Sequence, residues 1–145
     1  MIESRTRVID DLLCFDLYAA SRAMTALYRP LLGPLDLTYP QYLVLQVLHR
    51  RTSAGIGELN EVLRLDYGTL TPLLRRLEQR GLIARTRDAD DLRAVAVALT
   101  DAGRALGPAL DRVRERIGET VGLDASSLAT LQATLRDLTE RIDGR

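Results

Sequence analysis

Cys14 is the single thiol in 145 residues, and LLCFDLY around it places Tyr18 one helical turn later. The reactive form of a cysteine is the thiolate, so chemistry here needs hydrogen-bond donors or positive charge held close to the sulfur. No basic residue adjoins Cys14 in this stretch, which leaves tyrosine hydroxyls as donors. Tyr28 and Tyr39 follow Cys14 by 14 and 25 residues. Fourteen residues of straight helix span about 21 Å, so contact between Tyr28 and this sulfur requires a second copy of the chain. The plain alternative is that Cys14 is a small packed hydrophobe, as a cysteine on an amphipathic helix most often is, and that Tyr28 and Tyr39 are amphipathic packing residues.

One cysteine excludes a disulfide within the chain, and with only His49 as a second soft ligand there is no zinc-site spacing, so neither metal nor other cofactor is expected. A thiol peroxidase would use the same cysteine, but there is no CxxC and no resolving cysteine, and the chain reads as a non-enzyme. His49, in LHRR, reads as a surface cation favoured by a helix C-terminus.

A second chemistry lies in the middle of the chain. Twenty basic and twenty acidic residues cancel, which excludes a histone-like charge neutraliser, and all the basic residues are arginine. Between Arg64 and Arg87, however, six arginines (Arg64, Arg75, Arg76, Arg80, Arg85, Arg87) face two acids (Asp66, Glu78). Local positive charge on one segment is what phosphate contact requires, although such a run can also be no more than a solvated face.

The elements that must position these groups follow from periodicity. Apolar residues at spacings of three and four mark a long helix from Arg5 to about Leu32, ending at Gly33-Pro34. Thr38 caps a second helix to about Arg50, with Gln41 three residues on and Pro40 in the first turn. A third runs from Ile56 to Leu63. A fourth begins between Asp66 and Thr71, since Pro72 fits only a first turn, and stops at Gly81. Two short helices joined by a brief turn are a helix-turn-helix, whose second helix would offer Tyr67, Thr69 and Thr71 to base edges, with Arg75 and Arg76 beyond. After Gly81 the period changes to two: Arg85 and Arg87 lie on one strand, DADD turns, and Val95, Val97 and Leu99 share a face of a second strand, giving a two-stranded hairpin. Thr100 caps a helix with stripe Leu106 to Val121, and Asp124 caps a last one with Leu128, Leu131, Leu135, Leu138 and Ile142. The fold class is mainly α: a winged helix-turn-helix with a small hairpin wing. Long amphipathic helices at both ends would expose apolar stripes unless covered, which argues for a homodimer.

The segment DYGTLTPLLRRLEQRGLIARTRDADDLRAVAVALTDAG resembles the winged helix of the MarR family of bacterial transcription regulators, including Asp91-x-Arg93 followed by Leu99-Thr100 and Gly103. The resemblance implies one MarR-type domain over residues 1–145, with residues 1–35 and 101–145 as dimerisation helices and residues 36–100 as the DNA-binding part. It implies that Tyr67 to Arg76 enter a major groove of a pseudo-palindromic operator, that Arg93 reaches a minor groove and that Asp91 holds the wing. Relatives in the nearest branch usually have serine at the position of Tyr67 and glutamate at that of Leu92, so the preferred base sequence does not carry over.

LCFDLYAASRAMTALYRPLLGPLDLTYPQYLVLQVL is similar to the peroxide-sensing branch of that family, the organic hydroperoxide resistance regulators. That similarity implies that Cys14 is the reactive cysteine, that Tyr28 and Tyr39 of the other subunit hydrogen-bond its sulfur, and that organic hydroperoxide releases a repressor from double-stranded DNA. With no second cysteine the chain resembles the one-cysteine type, in which a low-molecular-weight thiol or overoxidation completes the switch. The other reading within the family is a repressor released by a small aromatic or phenolic ligand or by another oxidant, with Cys14 structural. No apolar run is long enough to span a membrane, and the mixed charges of MIESRTRVIDDLL lack the apolar core of a signal peptide, so a cytoplasmic protein is expected.

Overall fold

The computed structural model describes residues 12–87 and 95–144. In chain order these form α1 (Leu13–Leu32), a 3-10 turn (Gly33–Leu35), α2 (Tyr39–Arg50), β1 (Ala54–Gly55), α3 (Ile56–Leu63), α4 (Tyr67–Gln79), β2 (Ile83–Arg87), β3 (Val95–Leu99), α5 (Asp101–Ala105), α6 (Gly107–Val121) and α7 (Ala125–Asp143). The architecture is the mainly α winged helix-turn-helix that the patterning predicts. Residues 5–11 of the expected first helix and the DADD turn with Asp91 and Arg93 lie outside the described residues. The chain divides into two compact units, one ending at Val113 and one beginning at Arg114.

In the first unit the boundaries follow from capping chemistry. At the start of α2 the Gln41 N–H donates to Thr38 Oγ1 (3.4 Å) while the Thr38 N–H donates to Gln41 Oε1 (3.0 Å), a reciprocal box that satisfies two otherwise orphaned donors. α3 ends at Arg64 in the left-handed conformation (φ 54°), which turns the chain toward α4 within three residues. α4 stops at Gly81 (φ 71°): the Gly81 N–H donates to the Glu78 carbonyl (2.9 Å) and the Leu82 N–H to the Leu77 carbonyl (3.0 Å), a Schellman closure. Leu45 and Leu48 of α2, Leu59 of α3, Leu70, Leu74 and Leu77 of α4, Ile83 of β2 and Val97 of β3 are almost completely buried and make the core.

Three expectations are corrected. The wing root is a three-stranded antiparallel sheet in the order β1-β3-β2, because Ala54 and Gly55 pair with Val97 and Ala96 on the outer edge of β3. Pro72 is the sixth residue of α4, in its second turn; its missing N–H leaves the Gly68 carbonyl without a helical donor. The helix capped by Thr100 is interrupted at Leu106, so that α5 and a separate α6 replace one continuous element. α6 buries Leu110, Val113 and Ile117 along one stripe.

In the second unit Asp124 caps α7 by accepting from the Ser127 N–H (2.7 Å). The stripe assigned to this helix is present, but Leu128, Leu131, Leu135 and Ile142 are exposed in the single chain. No described helix is long and apolar enough to cross a membrane.

Candidate nucleic-acid interface and thiol site

Asp66 fixes the first turn of α4. Its Oδ1 accepts the Thr69 N–H (2.7 Å), and hydrogen bonds from Thr69 hold its carboxyl below the ordinary range. Thr69 therefore serves the cap of the helix. Tyr67, the first residue of the helix, is 61% exposed, and its hydroxyl lies beside α3, where a Cβ on Gly57 would stand 3.4 Å from it. Thr71 is half-buried, whereas Arg75 and Arg76 are exposed and make no ion pair among the described residues.

The basic cluster divides by partner. Arg85 Nε donates to Glu78 Oε2 (2.9 Å), joining β2 to α4. Arg80 donates to the Asp36 carbonyl and, through its second terminal nitrogen, to the Leu35 carbonyl (3.1 Å), tying the end of α4 to the corner after α1. Arg87, at the end of β2, is exposed. Of the six arginines counted in this segment, Arg75, Arg76 and Arg87 are thus exposed without a described partner, while Arg64, Arg80 and Arg85 are engaged.

In the single chain Cys14 is exposed in the first turn of α1. Tyr18, one turn on, is 60% exposed and carries the Arg22 guanidinium over its ring at 5.5 Å. Because α1 runs without interruption from Leu13 to Leu32, Cys14 and Tyr28 are held about 21 Å apart along it. Tyr28 instead meets Tyr39 across the corner between α1 and α2, with ring centroids 4.8 Å apart. The sequence pattern did not single out a third ring: Tyr42, 4% exposed, lies 5.3 Å from Tyr28 and 6.3 Å from Tyr39. Its only signal was its place in LTYPQY, one turn after Tyr39. Burial first, then the neighbouring phenols Tyr42 and Tyr39 and a hydrogen bond to Tyr42, push the Tyr28 hydroxyl well above the usual phenol range. Burial and Tyr42 do the same for Tyr39. Both groups are therefore fixed as protonated donors.

His49 departs from its expected exposed position. It is half-buried against the start of α6, where a Cβ on Gly107 would lie 3.2 Å from its ring, and its Nε2 is buried with no partner among the described residues.

Comparison with known proteins adds three findings. Residues 37–95 match the model of the MarR family. The chain is 42% identical over 137 residues to the organic hydroperoxide resistance transcriptional regulator of Bacillus subtilis, covering 92% of this chain and 91% of that protein. Among solved structures it is similar to reduced AbfR bound to DNA (29% identity, TM-score 0.76, covering 99% and 98% of the two chains) and to Bordetella bronchiseptica BpsR, whose DNA binding is regulated by 6-hydroxynicotinic acid (25% identity, TM-score 0.80, covering 90% and 94%).

Proposed function

The chain belongs to the MarR family and is a DNA-binding transcriptional regulator, and from that premise we propose that it is a homodimeric repressor released from its operator when organic hydroperoxide oxidises Cys14. One observation carries this reading: Cys14 is exposed at one end of α1, while Tyr28, Tyr39 and Tyr42 gather at the other end, where burial holds the Tyr28 and Tyr39 hydroxyls protonated. Donors and thiol can meet only between two chains. Exposed Leu13, Phe15, Tyr18 and Met24 on α1, and exposed Leu128, Leu131 and Leu135 on α7, supply apolar surface for such a partner.

In this reading α4 enters a major groove with Tyr67, Thr69 and Thr71 at base edges, Arg75, Arg76 and Arg87 at phosphates, and Arg93 in the adjacent minor groove with Asp91 supporting the wing. The Cys14 thiolate attacks the terminal oxygen of the hydroperoxide. An S–O bond forms, the O–O bond breaks, and the alkoxide leaves as an alcohol after taking a proton; sulfur loses two electrons and the peroxide gains them. The sulfenic acid then condenses with a small cellular thiol, giving a mixed disulfide and water. Loss of the thiolate removes the group that bridges one subunit to the tyrosines of the other, and the altered interface changes the spacing of the two recognition helices.

The test is a gel-shift titration on the promoter upstream of the protein's own gene, with wild type and Cys14→Ser, each with and without equimolar cumene hydroperoxide plus a small thiol. Release of wild type alone is the expected result. Persistence or release of both overturns sensing by this cysteine and moves the signal to a small ligand, as the regulation of BpsR by 6-hydroxynicotinic acid would then favour.

A further inference from the structure

We propose that Tyr42 is a positioning residue of the thiol sensor, a buried phenol that orients the Tyr28 hydroxyl toward Cys14 of the partner subunit; this rests on the reading above. A phenol has one proton to donate. Tyr28 sits at the end of α1, half-buried, and its ring contacts both Tyr39 (4.8 Å) and Tyr42 (5.3 Å). Tyr39 and Tyr42 share a face of α2 one turn apart, with near-parallel rings 24° from coplanar. Tyr42 is the innermost of the three at 4% exposed, so it is placed to hold the other two rather than to meet an incoming sulfur.

In the single chain burial and the neighbouring phenols keep Tyr28 neutral, and the Tyr42 ring packs against it with centroids 5.3 Å apart. When a thiolate of a second chain arrives, the Tyr28 proton turns to the sulfur and the Tyr42 hydroxyl becomes the donor to the Tyr28 oxygen. Chains of this kind polarise each donor through the next, so Tyr42 strengthens the bond to sulfur without touching it. Tyr39, on the other flank, supplies the second donor.

The experiment measures the second-order rate of Cys14 loss with cumene hydroperoxide, and its pH profile, for the full-length wild type, Tyr42→Phe, Tyr28→Phe and the double variant. Phenylalanine keeps the ring and its packing. Tyr42→Phe is expected to slow oxidation about three- to tenfold, the range of one neutral hydrogen bond, and to move the rate profile toward alkaline pH. It is expected to add nothing in the Tyr28→Phe background, because it acts through Tyr28. An unchanged rate for Tyr42→Phe, or an equal further loss in the double variant, overturns the proposal. If Tyr28→Phe itself oxidises at the wild-type rate while Cys14→Ser abolishes release, the cysteine remains the sensor and the tyrosine relay falls. If Cys14→Ser still releases DNA, the sensor reading itself has failed.

Discussion

Gly103 lies flush against the backbone of Leu82: a Cβ there would collide with the Leu82 carbonyl oxygen. The same oxygen accepts the Thr100 N–H (3.1 Å), while the Thr100 hydroxyl donates to the Gly81 carbonyl and accepts the Gly103 N–H (3.1 Å). The start of α5 is thereby fastened to the turn between α4 and β2. Gly103→Ala must push backbone apart, because no flexible side chain can yield, and is expected to destabilise by about 1–3 kcal/mol, as overpacking does. Urea unfolding monitored by circular dichroism checks it; an unchanged midpoint at unchanged slope would show that the contact relaxes freely.

What could be read from residues alone depends on whether the signal is local. The Thr38 and Gln41 box, the Gly81 stop and the Asp124 cap are each set by neighbours within four positions, and all three stand where the pattern puts them. β1 escaped because two residues, Ala54 and Gly55, carry no period; their pairing with β3 is a tertiary event. The break between α5 and α6 did have a signal, Gly107-Pro108, since Pro108 has no N–H to continue a helix from Arg104. Charge counting found the basic segment but could not see that Arg80 and Arg85 are engaged by Leu35, Asp36 and Glu78, partners up to 45 residues away. Tyr42 reads as an apolar-face residue on α2 until Tyr28 folds onto it.

The cap on α4 makes stability depend on acid. The Asp66 carboxyl is held below its ordinary value of 3.8, chiefly by its hydrogen bonds from Thr69, so its contribution is fully present above about pH 4 and is lost as pH falls through the lowered value. Asp66→Asn keeps an acceptor but does not titrate. The gap in melting temperature between wild type and Asp66→Asn is therefore expected to be constant from pH 7 to about 5 and to narrow below 4. A gap that widens on acidification would show that Asp66 does not hold the cap as an anion.

Two classes of arginine should separate in salt dependence. Arg75 and Arg76 are exposed without a described partner, whereas Arg80 is bound to the Leu35 and Asp36 carbonyls. Each of Arg75→Ala and Arg76→Ala is expected to reduce the slope of log affinity against log salt by about 1, the value for one lost phosphate contact. Arg80→Ala is expected to lower the melting temperature and leave that slope in place. Fluorescence anisotropy with operator DNA across a salt series decides it, and a full unit of slope lost in Arg80→Ala would move that residue into the interface.

Arg93 lies between β2 and β3 in sequence, outside the described residues, and its place rests on the Asp91-x-Arg93 resemblance. Arg93→Ala is expected to weaken operator binding while size-exclusion chromatography still shows the wild-type oligomer. Undiminished affinity would take the wing out of the interface.

The tyrosines should matter to the rate of oxidation and not to the grip on DNA. Tyr28 and Tyr39 sit at the corner of α1 and α2, well away in sequence from α4, and their rings support each other at 4.8 Å. Replacing both by phenylalanine preserves that ring contact and removes only the two hydroxyls. If those hydroxyls stabilise the thiolate of a second subunit, the double variant loses two donors, and its thiol should react with cumene hydroperoxide about ten- to a hundredfold more slowly, two hydrogen bonds' worth of stabilisation. Its operator affinity in the reduced state should match wild type. Timed sampling of free thiol after peroxide addition, alongside anisotropy on the same preparation, measures both. Unaltered thiol loss with unaltered affinity would return Tyr28 and Tyr39 to packing residues. Loss of affinity before any peroxide is added would mean that the corner they occupy is part of how the dimer presents its two recognition helices.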